Sequence, residues 1–301
     1  MVTQARQPKG TSGSIRKRVS ATNFVIYFVV IFFVVIALVP MIHELALSLS
    51  GRNAVAARKV SLWPVDFNTD AYTSVFYDKT MVRAMWFTIA LTFGYTVLSV
   101  VMTSLLAYPL SKPDLPGRTG LMIMVVIPMY FSGGIIAEYM WIKELNLLDN
   151  PLVLLLPLCI SSYNTIILIN FFKTIPDSLI ESAWLDGCSE FGILVRIVLP
   201  LSKAALATIA LFYAVSRWNG FQDVLYYINK SQYFTLQMKL YQIVYNSQST
   251  DTSMLENGAT ALNANTVKAA SIMFASIPIL LVYPFLQKYF VQGVMIGAVK
   301  G

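Results

Sequence analysis

Residues 174–200, TIPDSLIESAWLDGCSEFGILVRIVLP, form the one polar, patterned segment set between two long apolar runs. Pro176 ends whatever precedes it, because the residue before a proline is pushed out of the helical region. Asp177 and Ser178 are good N-caps, and Ser178 with Glu181 three residues on has the spacing of a capping box. The sequence therefore predicts a helix from about Ser178. Leu179, Ile180, Ala183 and Trp184 fall on one side of it at helical spacing, with Glu181 and Leu185 facing the other way. Gly187 suits a helix-ending position that needs positive φ. Ser189 restarts a second helical segment through Phe191, Leu194 and Ile197, and Pro200 leads into the next apolar run. The reading is helix, tight turn, helix, with one charged edge exposed. Such a segment either caps its own helix and lies on the membrane surface or presents that edge to a partner.

The surroundings decide the fold class. Of 301 residues, 56% are hydrophobic and 12% charged, about half the charge of a soluble domain. A membrane span needs roughly 20 apolar residues for a ~30 Å core. Six stretches qualify: 24–47, 82–108, 121–141, 152–172, 199–218 and 267–290. The chain reads as an all-α polytopic membrane protein with six transmembrane helices. The net charge of +7 is spread among loops with no aromatic-interleaved strip, which points to anionic lipid rather than nucleic acid. Cys159 and Cys188 have no CxxC or His cluster near them and read as small buried hydrophobes, with no metal or disulfide. His43 beside Glu44, near the end of the first span, reads as an interfacial pair. No phosphate loop of the GxxxxGK[ST] type occurs, so ATP is not bound by this chain, and one histidine with few acids offers no catalytic constellation. No cofactor is called for.

Residues 1–23, with Arg6, Lys9, Arg16, Lys17 and Arg18, read as a basic cytoplasmic arm. Six spans then place both termini in the cytoplasm and 174–200 on the same side. Residues 24–81 form the first span and an external linker, and 82–290 the core. The third span is broken by Pro128 and Ser132-Gly133-Gly134. Irregular backbone at membrane depth either lines a cavity, here near Tyr130 and Phe131, or lets two helices pack closely. The fourth span carries Ser161, Ser162, Tyr163, Asn164 and Asn170, polar groups that need partners in lipid. Residues 220–264 are a long polar external loop, and 291–301 a cytoplasmic tail.

Glu181-Ser182-Ala183, three residues, Gly187, nine residues, then Ile197-x-Leu199-Pro200 resembles the EAA loop of bacterial ABC importer permeases, with Ser182 and Cys188 as small-for-small departures. The LWPVDFNTDAY linker resembles that of sugar permeases. PMYFSGGIIAEYMWIKELNLLDN resembles the permeases of complex-oligosaccharide importers of Gram-positive bacteria. The tail QKYFVQGVMIGAVKG resembles the end of the maltose-type second permease.

The resemblance implies a type I ABC importer permease fold in the bacterial plasma membrane. It implies a sugar substrate, a second homologous permease, two copies of an ATPase subunit and an extracellular solute-binding protein. It makes the loop a coupling helix that docks on the ATPase, through Glu181, Ser182, Ala183, Asp186 and Gly187. The long external loop would meet the binding protein, and the tail would reach the ATPase. Sugar sites combine aromatic faces with amides and hydroxyls, which makes Tyr130, Tyr163, Asn164, Tyr213 and Trp218 the pathway candidates. The competing class is an ion-coupled secondary transporter or channel without an ATPase, which this chain would have to serve alone.

Overall fold

The computed structural model describes residues 21–253, 265–282 and 284. Most of the basic arm, the end of the external loop (254–264) and the tail lie outside those residues. Every regular element described is helical. The main helices are α1 (Ala21–Ser48), α2 (Arg52–Ala56), α3 (Asp70–Tyr77), α4 (Lys79–Ser111), α5 (Arg118–Val126), α6 (Gly134–Glu144), α7 (Ser162–Phe172), α8 (Asp177–Leu185), α9 (Glu190–Ile193), α10 (Leu199–Leu201), α11 (Lys203–Asn219), α12 (Gln222–Tyr227) and α13 (Leu236–Ser253). A last helix, α14, spans Asn265–Val282.

α4 is the axis of the molecule and packs against α7, α11 and α13. Three apolar clusters sit along it. Met81 joins Val75, Trp218, Leu236 and Phe274 near one end. Leu91 joins Ile142, Leu154, Val224 and Tyr227. Ala107, Tyr108 and Leu110 join Leu168, Phe172, Ile180, Ile193 and Val198 at the other. From Met81 to Leu110 is about 40 Å at ~1.5 Å per residue, enough to cross a bilayer core. Between the clusters α4 buries polar side chains instead, among them Ser99 and Thr103.

The spans differ from their sequence pattern in instructive ways. Among the described residues three helices are long and apolar enough to cross a membrane (α1, α4 and α14), or five if each of two bent pairs is one span. The first pair is α5 with its 3₁₀ turn Ile127–Met129, and α6, bent by 114°. The bend falls on the Pro128 and Ser132-Gly133-Gly134 breakers, with Gly134 at φ +76°. The second pair, from Glu190 to Asn219, bends by 85° at Ser202, whose hydroxyl is buried without a partner. Residues 152–172 are not one helix. Pro151–Leu154 is a 3₁₀ turn, the chain is irregular through Pro157, and α7 starts only where Ser161 caps it by accepting from the Asn164 N–H. The long polar segment expected outside is largely folded through Ser253, as α12, a 3₁₀ turn and α13.

α1 stands apart. Its most apolar window has no buried residue, and it joins the body only at its end, where Ala46, Ala54, Val55 and Val60 cluster. There Ser50 Oγ donates to the Ala46 carbonyl at 2.6 Å and accepts from Val65 N–H at 3.1 Å. The His43 ring bonds the Ser61 carbonyl at 2.6 Å. His43 and Glu44 line a cavity of about 310 Å³ with Arg58 and Lys268.

Candidate functional site

Two regions carry the polar chemistry, one inside the bundle and one on a loop. Inside, a cavity of about 590 Å³ lies between α4, α7 and α11, lined by Tyr95, Ser161, Tyr163, Asn164, Phe212 and Tyr213 among others. Three of the five pathway candidates therefore meet. Tyr163 is 58% exposed and tilts against Phe212 at 6.4 Å between ring centroids. Asn164 is almost fully buried. Tyr213 is a wall rather than a free hydroxyl. Its OH accepts from the Ser161 N–H at 2.9 Å and pairs with Thr103 Oγ1 at 2.6 Å, and its ring meets Tyr95 edge-on at 6.0 Å. Among the described residues no charged side chain lines this cavity. The surface offers ring faces, an amide and hydroxyls, a few polar groups set among aromatic side chains as in small-molecule pockets.

Tyr130 and Trp218 do not join them. Tyr130 follows the 3₁₀ turn at the α5–α6 bend and is 77% exposed. Trp218 is packed in the apolar cluster with Val75, Leu236 and Phe274. Its neighbour Arg217 is the residue that sequence reasoning passed over. Arg217 is 7% exposed and forks onto Asp223, Nη1 to Oδ2 and Nη2 to Oδ1, the latter at 2.9 Å. It also donates to the carbonyls of Leu154 at 3.2 Å and Gly220 at 3.4 Å, and lies over the Tyr95 ring. An arginine at the end of an apolar run followed by an aspartate six residues on was the available signal. Nearby, Asp149 ties two loops by accepting from the Asn229 and Lys230 N–H groups. The Asn229 bond first, then that of Lys230, holds its carboxyl below the usual range. Burial, and then the Glu138 carboxylate, push the Tyr227 phenol up.

The loop 174–200 folds as the pattern predicts in outline and departs from it at the start. α8 begins at Asp177, not Ser178, and Pro176 at φ −59°, ψ 130° holds the N-cap position with no side-chain bond. The capping box therefore does not form. Ser178 lies inside the first turn, and Glu181 faces solvent. Asp177 instead places a carboxylate in that turn, where the helix dipole favours it. Gly187 has φ +78°, and its N–H and that of Cys188 close the turn on the carbonyls of Trp184 and Ala183. Ser189 caps α9 by accepting from Gly192 N–H at 3.2 Å. After α9, Leu194–Val198 is a π turn; Pro200, lacking an N–H, follows two residues on.

Ile180 and Ala183 bury the inner face of α8. The outer face carries Glu181, Ser182 and Asp186, all exposed. Beside them stand Leu185 at 90%, Phe191 at 66% and Trp184 at 50% exposed. The outer face of α8 and the start of α9 thus form an exposed apolar patch rimmed by carboxylates. Beside it lies a cluster with no sequence signal. Glu190 accepts from the Tyr108 hydroxyl at 2.6 Å and from the Trp184 indole N–H at 2.9 Å. Lys112 Nζ lies 5.2 Å and 5.3 Å from the centroids of those same two rings.

Among the described residues no group of three or more His, Cys, Asp or Glu could hold a metal.

Comparison with known proteins points to one class. The model of a family described as "Binding-protein-dependent transport system inner membrane component" matches residues 12–296. The chain is 42% identical over 280 residues to the polygalacturonan/rhamnogalacturonan transport system permease protein YtcP of Bacillus subtilis, covering 93% of this chain and 98% of that one. It is 44% identical over 270 residues to protein LplC of the same organism, covering 88% and 90%. Among solved structures, a chain of a bacterial ABC transporter involved in the import of the acidic polysaccharide alginate superposes with a TM-score of 0.81 at 31% identity. The match covers 94% of this chain and all of that one.

Proposed function

The chain belongs to the family of binding-protein-dependent transport system inner membrane components, and from that membership we propose that it is one permease of an ATP-driven oligosaccharide importer. The observation that carries the reading is the loop 174–200. It shows an exposed, partly apolar, acidic face on a nine-residue helix, set between helices that line an uncharged cavity of ring faces and amides. The substrate class follows from the relatives, a polygalacturonan/rhamnogalacturonan transport system permease and a chain of a transporter involved in alginate import.

In this reading a second, homologous permease covers α1 and the open side of the cavity. Two copies of an ATPase subunit dock on α8, with Glu181 and Asp186 meeting basic groups and Leu185 filling a pocket. A solute-binding protein delivers sugar from outside, onto the face that carries α12 and α13. Both termini are cytoplasmic, and each bent helix pair together with α7 completes the six spans. ATP binding closes the ATPase dimer. The chain supplies no hydrolytic chemistry; it converts that closure into a rigid-body motion of the helices around the cavity. Tyr163, Asn164 and Ser216 face the sugar, while Tyr213 and Tyr95 hold the wall in place.

The test is to purify the tagged chain from its native membrane and identify its companions. The reading requires a second permease and an ATPase in about twofold excess. A Glu181→Lys chain should insert but carry no ATPase and no transport. A chain that purifies alone and moves solute without ATP would overturn it.

A further inference from the structure

α8 is anchored weakly for a part that must transmit force. Only Ile180 and Ala183 of its nine residues are buried, and the backbone on each side of it turns sharply, at Pro176 and at Gly187. A rigid link to the bundle has to come from elsewhere, and Glu190 supplies one. Its two carboxylate oxygens take one donor each from different parts of the fold: the Trp184 indole from α8, and the Tyr108 hydroxyl from α4. Lys112, at the C-cap of α4, lies within cation–π range of both rings. Tyr108 belongs to the buried apolar cluster with Phe172, Ile180, Ala183 and Ile193, while Glu190 and Trp184 are exposed at its edge. The end of α4 is held from the other side by Arg118, which donates from Nε to the Leu110 carbonyl at 2.9 Å.

α4 is not adjacent to the loop in the chain; α8 is flanked by α7 and α9. Yet α4 runs without a break from Tyr108 to Tyr95, about 20 Å at ~1.5 Å per residue, and Tyr95 is in the cavity wall. We propose that Glu190 is a positioning residue that fastens the coupling loop to α4, so that α4 carries the movement of α8 to the cavity. The inference rests on the coupling reading of the loop given above. The carboxylate touches neither substrate nor ATP. It acts through Tyr108 and Trp184, which it holds in one orientation between two helices that would otherwise slide on a greasy contact.

The experiment uses the complete transporter in proteoliposomes, with its binding protein and sugar, and reads sugar moved per ATP hydrolysed. Tyr108→Phe removes one hydroxyl and Glu190→Gln one charge. Each should lower that ratio by roughly five- to tenfold, the low end of measured coupling between sites. The amount of ATPase subunit in the purified complex should stay the same. The double variant should be no worse than either single one, because both break one bridge. If Glu190→Gln fails to insert, Tyr108→Phe decides alone. An unchanged ratio in Tyr108→Phe overturns the proposal. Loss of the ATPase subunit from the complex also overturns it, since Glu190 would then be part of the docking face. Glu181→Lys, run in parallel, separates the two levels. Full transport by that variant sinks the coupling reading and this proposal with it. Abolished transport there, beside a normal ratio in the Tyr108 and Glu190 variants, sinks the bridge alone.

Discussion

Arg217 brings a charge into a pocket where one carboxylate and two carbonyls are its hydrogen-bond partners. The fork matches the planar guanidinium, and lysine cannot reproduce it. Removing one partner of such a buried pair leaves the other uncompensated. Arg217→Ala should destabilise the chain by about 3 kcal/mol, the lower end of the range for buried pairs because Asp223 keeps some solvent contact. The check is a fall in the thermal midpoint of the purified complex, and a value within error of wild type would refute the assignment. Arg217→Lys should recover only part of it. Gly220 belongs to the same arrangement. A Cβ there would come within 2.8 Å of Arg217 Nη2, and that nitrogen is pinned by Asp223. Residues of this kind are hard to see in a sequence. Arg217 closes an apolar run and reads as a span boundary, and nothing local says that its charge turns inward. Tyr213 is the converse case. It was legible as a polar aromatic at membrane depth, but its hydroxyl is consumed by Ser161 and Thr103, so it shapes the cavity rather than facing its contents.

At the scale of elements, local chemistry predicted turns better than helix starts. Gly187 was readable because a tight helix–helix turn needs a left-handed residue, and φ is +78° there. An added Cβ at Gly187 meets nothing within 4 Å, so the penalty of Gly187→Ala is purely conformational, ~1–2 kcal/mol. That variant should insert and assemble, yet transport more slowly because α8 loses its fixed angle to α9. Uptake assays against membrane abundance measure this, and an unimpaired rate would mean the turn adapts. The capping box failed for a reason of one residue. Proline already has the φ that an N-cap position accepts, so α8 starts behind Pro176 and shifts Ser178 inward. The run 152–172 had the length of a span, but Pro157 and the Ser161 cap were stronger instructions than its hydrophobicity. The bridge at Glu190 was invisible because its partner, Tyr108, lies 82 residues away.

At the scale of the molecule, the described residues place Ser99, Thr103, Asn164, Thr165 and Thr208 buried on α4, α7 and α11, the three helices that line the cavity. The fold class was legible from charge and run length, since apolar runs of about 20 residues with few charges satisfy their backbone in lipid as helices. The cavity was legible in part. Tyr163 and Asn164 were picked out as aromatic and amide at depth, and α7 does present both to it, whereas Tyr130 and Trp218 have the same chemistry but sit on other surfaces. Residue type selects candidates, and packing against Val75 and Phe274 is what removes Trp218. Tyr163→Ala should raise the KM for sugar import by roughly three- to tenfold, the loss of one stacking face at ~0.5–1.5 kcal/mol. Trp218→Phe should leave KM within about twofold, as an aromatic exchange in an apolar cluster. Initial-rate uptake at varied sugar concentration distinguishes them, and equal effects would move the sugar path away from α7.

The π turn at Leu194–Val198 gives this loop a property of angular bookkeeping. A π turn holds one residue more than the α-helix around it, and one residue is worth about 100° of rotation about the axis. Deleting a residue there would let the strand of chain into Pro200 wind regularly, and every helix could still form. The price would be phase. The face bearing Glu181 and Leu185 would swing by more than a quarter turn relative to α11, away from anything waiting below it. The length of this stretch therefore fixes where that face points.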